Sequence, residues 1–489
     1  MVSDRTTRTP VDPAAPRARG APGTTQRRVP RALLVDAWAG ASRSSRPKLR
    51  LPWQRGSTAH VASIYPFSVH GSLCEHGPVI GLDMLAGGAP FCWDPFEAYH
   101  QGLVTNPNVA IFGQPGQRKS TLVKTFLWRM HTLYSHDRWV GIADPKGEYA
   151  PLAEQLGLTV VRLTPGGATR VNPLAPGPAA RHEHAAKTAM RRADTVHDLL
   201  AAVLRRDLAP AEEAILYAAV EAAVTGRAKE PTLADLARLL AEPTEAMVAR
   251  VRKPPGELAA EAGDLYYALS NLLGQSLRGM FDGPGTVRLD SDGLGVVLDL
   301  SGLDINSPAM PLVLMTATGW LQEFLVCAGP QRLQITDELW VGAGDRHFVR
   351  HMQRCQKLGR SLGVANIQIA HKVTDAAAQT ADGTAEAKIA AGLLADADTK
   401  IILRQDPEQL AHAQRAFGLT DTERAWIGAL VKGRALWLIG GHRAVVQHHL
   451  FERERHLVDT DQRMRGNPRG FTGGDQAAVE DVEAAADAA

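Results

Sequence analysis

The sequence predicts an α/β fold built on a mostly parallel central sheet, and three observations carry that expectation. Short apolar runs alternate with stretches of helical apolar spacing along much of the 489-residue chain. One of these runs passes through a glycine-bearing loop directly into a helix. A long Ala- and Leu-rich block then interrupts the alternation. Strands that alternate with helices imply parallel pairing with both sheet faces covered.

Asn108 to Phe112 is a short apolar run ending at Gly113, and the segment that begins Ser120-Thr121-Leu122-Val123 has helical spacing. Further strands are expected at Trp139 to Ala143 and Leu158 to Leu163. From about Arg181 to Leu277 the pattern turns helical, as in Thr195 to Leu204 and Pro210 to Val224. Within it, Thr232 is placed to cap a helix, with Asp235 completing a box-like spacing. Strand signals resume at Gly295 to Leu300, Arg332 to Thr336, Ala365 to Ala370, Thr399 to Leu403, Ala435 to Ile439 and Ala444 to Phe451. Helical stretches at Met310 to Val326 and His347 to Leu362 lie between them. Gly440-Gly441-His442-Arg443 reads as a hairpin turn that adds antiparallel strands at the sheet edge.

Composition narrows the class. No apolar run approaches the roughly 18 to 20 residues of a membrane span, and the N-terminus lacks the apolar core of a secretory signal. A cytoplasmic protein is therefore expected. Cys74, Cys92, Cys327 and Cys355 are scattered without a C-x-x-C pair, which implies neither a disulfide framework nor a zinc site. Met1 to Ser57 holds twelve Lys or Arg against Asp4, Asp12 and Asp36, whereas the chain after Gly466 is acidic. Both ends read as disordered tails. The basic one could meet an anionic membrane surface or nucleic acid, or be no more than a linker in an arginine-rich chain.

The chemistry begins at Gly113-Gln114-Pro115-Gly116-Gln117-Arg118-Lys119-Ser120, with Thr121 next to it. This is a phosphate-binding loop of the form G-x-x-x-x-G-K-S/T except that Arg118 stands where glycine is expected. Such a loop works because consecutive backbone N–H groups at a helix N-terminus converge on phosphates, while Lys119 adds a positive charge and Ser120 a ligand for Mg2+. Two readings of Arg118 stay open: a working loop whose arginine turns outward, toward a neighbouring subunit, or a loop that binds nucleotide weakly or not at all. The second part is Leu333-Gln334-Ile335-Thr336-Asp337-Glu338, an apolar strand ending in two acids. In ATPases of this type the first acid orients magnesium and the second polarises the attacking water, roles that fall to Asp337 and Glu338. Arg346, Arg350, Arg354, Lys357 and Arg360 share one helix face, which suits a channel lining, a nucleic-acid contact, a neighbour's nucleotide or merely a solvated face. Gln368 and His371 end the next strand, where a polar residue can sense the terminal phosphate.

Together with Asp144-Pro145-Lys146-Gly147-Glu148-Tyr149, Phe281-Asp282-Gly283-Pro284-Gly285-Thr286, Thr336-Asp337-Glu338-Leu339-Trp340 and Ala370-His371-Lys372, the loop resembles the successive signatures of the traffic ATPases of conjugation and type IV secretion. The resemblance runs from about Tyr65 to Thr460 and places the chain with the HerA–FtsK group of RecA-like motor ATPases. It implies a RecA-like P-loop fold, ATP and Mg2+, and a homo-hexamer with nucleotide at subunit interfaces. It also implies membrane-embedded secretion or conjugation partners and a peripheral place at the inner face of the cell membrane. Lys119 and Ser120 match the family's loop, Asp337 and Glu338 its acids, and His371 a place where glutamine is frequent. Arg404 is the implied arginine finger. The short stretch before Tyr65 is expected of a compact, motor-only form, as on actinobacterial conjugative elements.

The expected organisation is a basic tail (1–57), an ATPase domain in two parts (58–180 and 281–460), an all-helical insertion (181–280) and an acidic tail (461–489). The expected function is ATP hydrolysis powering DNA or protein transfer. A DNA-pumping translocase or coupling protein of the same group is the enzymatic alternative, and a nucleotide-binding or inactive scaffold is the other. The absence of a Leu-Ser-Gly-Gly-Gln signature argues against an ABC transporter subunit.

Overall fold

A computed structural model describes residue 73 and residues 76–458, apart from 176, 178–184, 226–229, 288–292, 326–330, 343–344 and 372–395. The tails expected over 1–57 and 461–489 lie outside these residues. The strands are β1 (Val79–Asp83), β2 (Ala89–Cys92), β3 (Val109–Phe112), β4 (Arg138–Asp144), β5 (Thr159–Arg162), β6 (Gly295–Asp299), β7 (Gln331–Thr336), β8 (Val364–Ala370), β9 (Thr399–Leu403), β10 (Arg434–Ile439) and β11 (His442–His448). They form one sheet in the order β2-β1-β11-β10-β9-β3-β8-β7-β4-β6-β5. From β9 to β5 every pairing is parallel, and from β9 to β2 every pairing is antiparallel.

The inner parallel strands β3, β4, β6, β7 and β8 are buried on both faces, as a sheet covered on both sides requires. In β3, Val109 and Ile111 join one core while Ala110 and Phe112 join the other. The first core packs under α1 (Pro95–His100), α2 (Lys119–Tyr134), α3 (Ala150–Leu156) and α14 (Glu452–Val458). Leu122, Val123, Phe126, Leu127 and Met130 of α2 are buried there, each such side chain contributing roughly 1.5–3 kcal/mol. This burial fixes the helix with its N-terminus at the end of β3.

The second core lies under the other helices. Between β5 and β6 come α4 (Ala185–Leu204), α5 (Pro210–Thr225), α6 (Leu233–Ala241), α7 (Glu245–Val251), α8 (Pro255–Glu261) and α9 (Gly263–Gly274). Thr232 caps α6 as its sequence predicts, its Oγ1 accepting from Asp235 N at 3.2 Å while the Asp235 carboxylate accepts from Thr232 N at 3.0 Å. Later come α10 (Met310–Leu325), α11 (Arg346–Leu362), α12 (Pro407–Phe417) and α13 (Asp421–Ala429).

The expected hairpin is present, with Ile439 opposite His442. The sequence reading had no β1 or β2. β2 contains Pro90, which an edge strand tolerates because its missing N–H is not needed there, and β1 carries the exposed Val79 and Leu82.

Candidate active site

The parallel strands end together, and their carboxyl ends bring most of the predicted residues to one corner. Gly113 follows β3, Asp144 ends β4, Asp337 follows β7, His371 follows β8 and Arg404 follows β9. In open α/β sheets this edge is where ligands bind, because the loops there are free of the layer packing that holds the strands.

Steric and conformational reasons separate the loop's glycines. A Cβ on Gly113 would sit 2.8 Å from Leu403 Cβ, so the β3–β9 approach itself demands glycine. Gly116 has φ +77° with open space around it, so there the backbone conformation makes the demand. Arg118 is also left-handed, at φ 73° and ψ 33°, which explains why the motif has glycine at this position. A non-glycine residue there costs about 1–2 kcal/mol. Its side chain runs toward Gly433 of the same chain, where a Cβ would lie 3.6 Å from Arg118 Cδ and Nη1. Gln114 N donates to Arg404 O at 3.1 Å, and the Gln114 side-chain amide donates to Asp406. Pro115 is exposed, Gln117 N donates to Gln114 O at 3.3 Å, and Thr121 O accepts from Thr125 Oγ1 at 2.8 Å within the first turns of α2.

Lys119, 7% exposed, donates from Nζ to Gly113 O at 2.7 Å and to Gln114 O at 3.3 Å, and meets His371 Nδ1 at 3.0 Å. Because an ammonium can only donate, Nδ1 accepts and the ring hydrogen sits on Nε2. That nitrogen donates to Glu338 Oε2 at 2.6 Å. Ser120 Oγ donates to Asp337 Oδ2 at 3.2 Å, and Tyr149 OH donates to the same oxygen at 3.0 Å. Lys119, Ser120, Asp337, Glu338 and His371 therefore form one connected cluster. Arg404 is exposed just beyond it, and its backbone carbonyl braces the loop.

The two acids differ. Burial pushes the Asp337 carboxyl up, and the charges of Glu338 and Glu148 add to the shift. Burial acts the same way on Glu338, but hydrogen bonds from His371 and Lys146 overcome it and bring its pKa down to about 2. Glu338 has φ 56°, so it is, like Arg118, a non-glycine residue in the left-handed region.

Several residues here carried no individual role in the sequence reading. Lys146 pairs with Glu338 Oε1, and Trp340 Nε1 donates to Glu338 Oε2. Asp144 accepts from Tyr149 N at 2.8 Å and from Lys146 N at 3.2 Å, which folds the loop after β4 against the site. Burial pushes Asp144 up to about 7, with nearby Asp337 adding to the shift. Lys124, fully buried on α2, meets Glu148 at 3.1 Å and lies 5.2 Å from the Tyr149 ring centroid. The signal was the quoted Asp-Pro-Lys-Gly-Glu-Tyr run, whose roles emerge only once β4 is set beside β7.

Two other expectations change. Arg346 and Arg350 pair with Asp207 at 3.4 and 2.8 Å, and Arg354 pairs with Asp198 at 2.8 Å. This part of the cationic stripe clasps the turn after α4 and α4 itself, and so is not a bare charged face. The Arg360 side chain lies outside the described residues. Gln368 is buried and accepts from Gln356 Nε2 of α11 at 2.9 Å, so it ties β8 to that helix and does not point to a phosphate-sensing place.

The donor set fits a magnesium nucleotide. Ser120 and Asp337 offer adjacent hard oxygens at a helix N-terminus, which suits an ion that keeps waters and takes phosphate oxygens for most of its ligands. Among the described residues there is no group of three or more His, Cys, Asp or Glu to hold a metal by itself.

The sequence matches no family model and no curated protein. The structure is similar to VirB4 of Thermoanaerobacter pseudethanolicus, with TM-score 0.61 and 22% identity, over 79% of this chain and 99% of that one. It is also similar to the bacterial conjugative coupling protein TrwB in an unbound form, with TM-score 0.50 and 13% identity, over 77% and 90% of the two chains. TrwB in complex with the ATP analogue ADPNP gives TM-score 0.50 and 14% identity, over 82% and 96%. The chain shares the fold of these proteins, as its sequence signatures imply. Among the described residues no helix is long and apolar enough to cross a membrane.

Proposed function

We propose that this chain is an ATP-hydrolysing motor that powers DNA or protein transfer in conjugation or type IV secretion. The observation that carries the reading is the meeting of Lys119, Ser120, Asp337, Glu338 and His371 at the carboxyl ends of β3, β7 and β8. The backbone N–H groups at the start of α2 and the Lys119 ammonium bind the β- and γ-phosphates. Ser120 and Asp337 would hold Mg2+, whose contribution is to neutralise charge on the phosphates. Glu338 orients and polarises the attacking water, and His371 positions both Glu338 and Lys119. Because the Arg118 backbone takes the conformation of the motif's glycine and its side chain leaves toward Gly433, the amide cradle is retained.

The similar fold of VirB4 and of the conjugative coupling protein TrwB supports a place in conjugation or secretion. In this reading the chain acts as a homo-hexamer, peripheral at the inner face of the cell membrane, with Arg404 reaching a neighbour's nucleotide. The helices of 181–280 form an insertion between the two parts of one ATPase domain. Steady-state ATPase activity, measured with and without single- and double-stranded DNA, tests it. A secretion motor hydrolyses ATP at a rate that DNA leaves unchanged, a coupling protein is stimulated by DNA, and no hydrolysis in either case overturns the reading.

A further inference from the structure

Glu338 has more hydrogen-bond donors than a residue that must polarise water can use. Lys146 holds Oε1, while Trp340 and His371 share Oε2, and the Glu338 side chain is 5% exposed. Its backbone is held at φ 56°, a conformation that a non-glycine residue keeps only where its surroundings over-determine it. The same histidine accepts from Lys119, the residue that must meet phosphate. The glutamate and the loop lysine are therefore tied to each other through one imidazole ring. Among the residues that hold Glu338, Lys146 has a side chain 39% exposed, so it has room to leave.

We infer that this is a latched state, in which Lys146 is a positioning residue that holds the Glu338 carboxylate, and that a terminal phosphate at the loop opens the latch by taking Lys119 from His371. This rests on the nucleotide reading of the site and adds its regulation. An ammonium bonds an anionic phosphate oxygen more strongly than a neutral imidazole nitrogen, so the exchange runs toward phosphate. Once Nδ1 loses its donor, the His371 ring is no longer fixed from that side. It can turn, and Oε2 loses one of its donors. Lys146 then leaves for the phosphates or for solvent, and the carboxylate faces the water it is to polarise. Binding of the triphosphate and readiness of the base become one event, whereas a diphosphate, which offers Lys119 its β-phosphate alone, draws the ammonium away less strongly.

Trp340 reports the latch directly, because its indole N–H bonds the carboxylate and its ring lies 6.0 Å from His371. The experiment follows tryptophan emission of the full chain during titration with Mg2+–ADPNP and with Mg2+–ADP, with binding measured independently by calorimetry. ADPNP is expected to change the emission, ADP to change it less, and Trp340→Phe to abolish the response. His371→Ala, in which Lys119 has no such contact to give up, is expected to bind ADPNP about 3–10-fold tighter. Lys146→Gln is expected to show the ADPNP-like emission without nucleotide, and Lys146→Arg to restore the resting emission. If ADPNP binds the wild type without moving the Trp340 signal, or His371→Ala binds it no more tightly, the latch is wrong although the nucleotide site stands. If the wild type binds no ADPNP at all, the nucleotide reading falls and the latch falls with it.

Discussion

Around Glu338, a carboxylate is gripped by a lysine, a histidine and an indole; around Asp198, a carboxylate is gripped by His351 at 3.3 Å and Arg354 at 2.8 Å. The residue types nearly coincide, but the settings do not. The Glu338 cluster lies on loops at strand ends, with left-handed residues at Arg118 and Glu338 and a half-exposed Lys146. The Asp198 cluster joins α4 and α11, with His351 also 3.1 Å from Thr318 on α10. There the carboxylate and the imidazole are both buried. One cluster sits on left-handed residues at strand ends; the other closes a helix-to-helix contact. In the proposed reading, charge together with backbone strain at a sheet's carboxyl edge, and not charge alone, separates the candidate site from a structural contact.

Substitutions should separate the two clusters. Glu338→Gln is expected to lower kcat by about 10²–10⁴-fold and, because the charge held by His371 and Lys146 is lost, to lower the denaturation midpoint as well. Asp198→Ala should leave turnover nearly unchanged and lower stability alone, because it leaves buried His351 and half-buried Arg354 without their shared partner. A loss of about 3–5 kcal/mol is expected in denaturant unfolding. If Asp198→Ala instead leaves stability intact and abolishes turnover, the division between the clusters is wrong.

The pH response should divide them as well. His448, under α2 and 2.8 Å from Thr125 Oγ1, is lowered to about 3 from its ordinary 6.5 by burial and by the charges of Arg129 and Arg118. Its depressed value means that stability present above about pH 6.5 is lost as pH falls toward 3. Burial would also lower His351, but Cys355 and Asp198 raise it to about 10. Its contribution is therefore complete below pH 6.5 and is lost as pH rises through about 10. Thermal midpoints measured across pH should show His448→Gln flattening the acid limb only and His351→Gln the alkaline limb only. The smallest effect is expected at the rim of the clasp. Arg350, 43% exposed, pairs with Asp207, 59% exposed, and Arg350→Ala should cost less than about 1 kcal/mol.

Much of the fold was legible because β3, β4, β8 and β9 are mostly apolar, and β3, β4, β7 and β8 are each followed by a loop with a recognisable signature. The antiparallel edge was only half legible. Gly440-Gly441 announced the β10–β11 hairpin, but β1 and β2 carry a glycine and a proline and expose much of one face, so their pattern is weak. Within the site, Lys119, Ser120, Asp337 and Glu338 were readable from spacing. Lys146, Tyr149 and Trp340 were not, because what they do depends on β4 lying beside β7, a neighbour relation that no local pattern records. The pairing of the α11 arginines was not legible for the same reason. Their acidic partners lie about 140 to 160 residues earlier in the chain, on α4 and just after it.

Arg118 leaves the central claim open to one direct measurement: steady-state ATPase activity of the wild type beside Lys119→Ala and Arg118→Gly. Since Arg118 already has the backbone conformation of glycine and its side chain lies toward Gly433, the wild type is expected to hydrolyse ATP. Arg118→Gly should stay within about 3-fold of it, and Lys119→Ala should fall by at least about 10²-fold. A wild type no faster than Lys119→Ala, with activity gained in Arg118→Gly, would contradict a working motor and leave a scaffold that has kept the site but not its turnover.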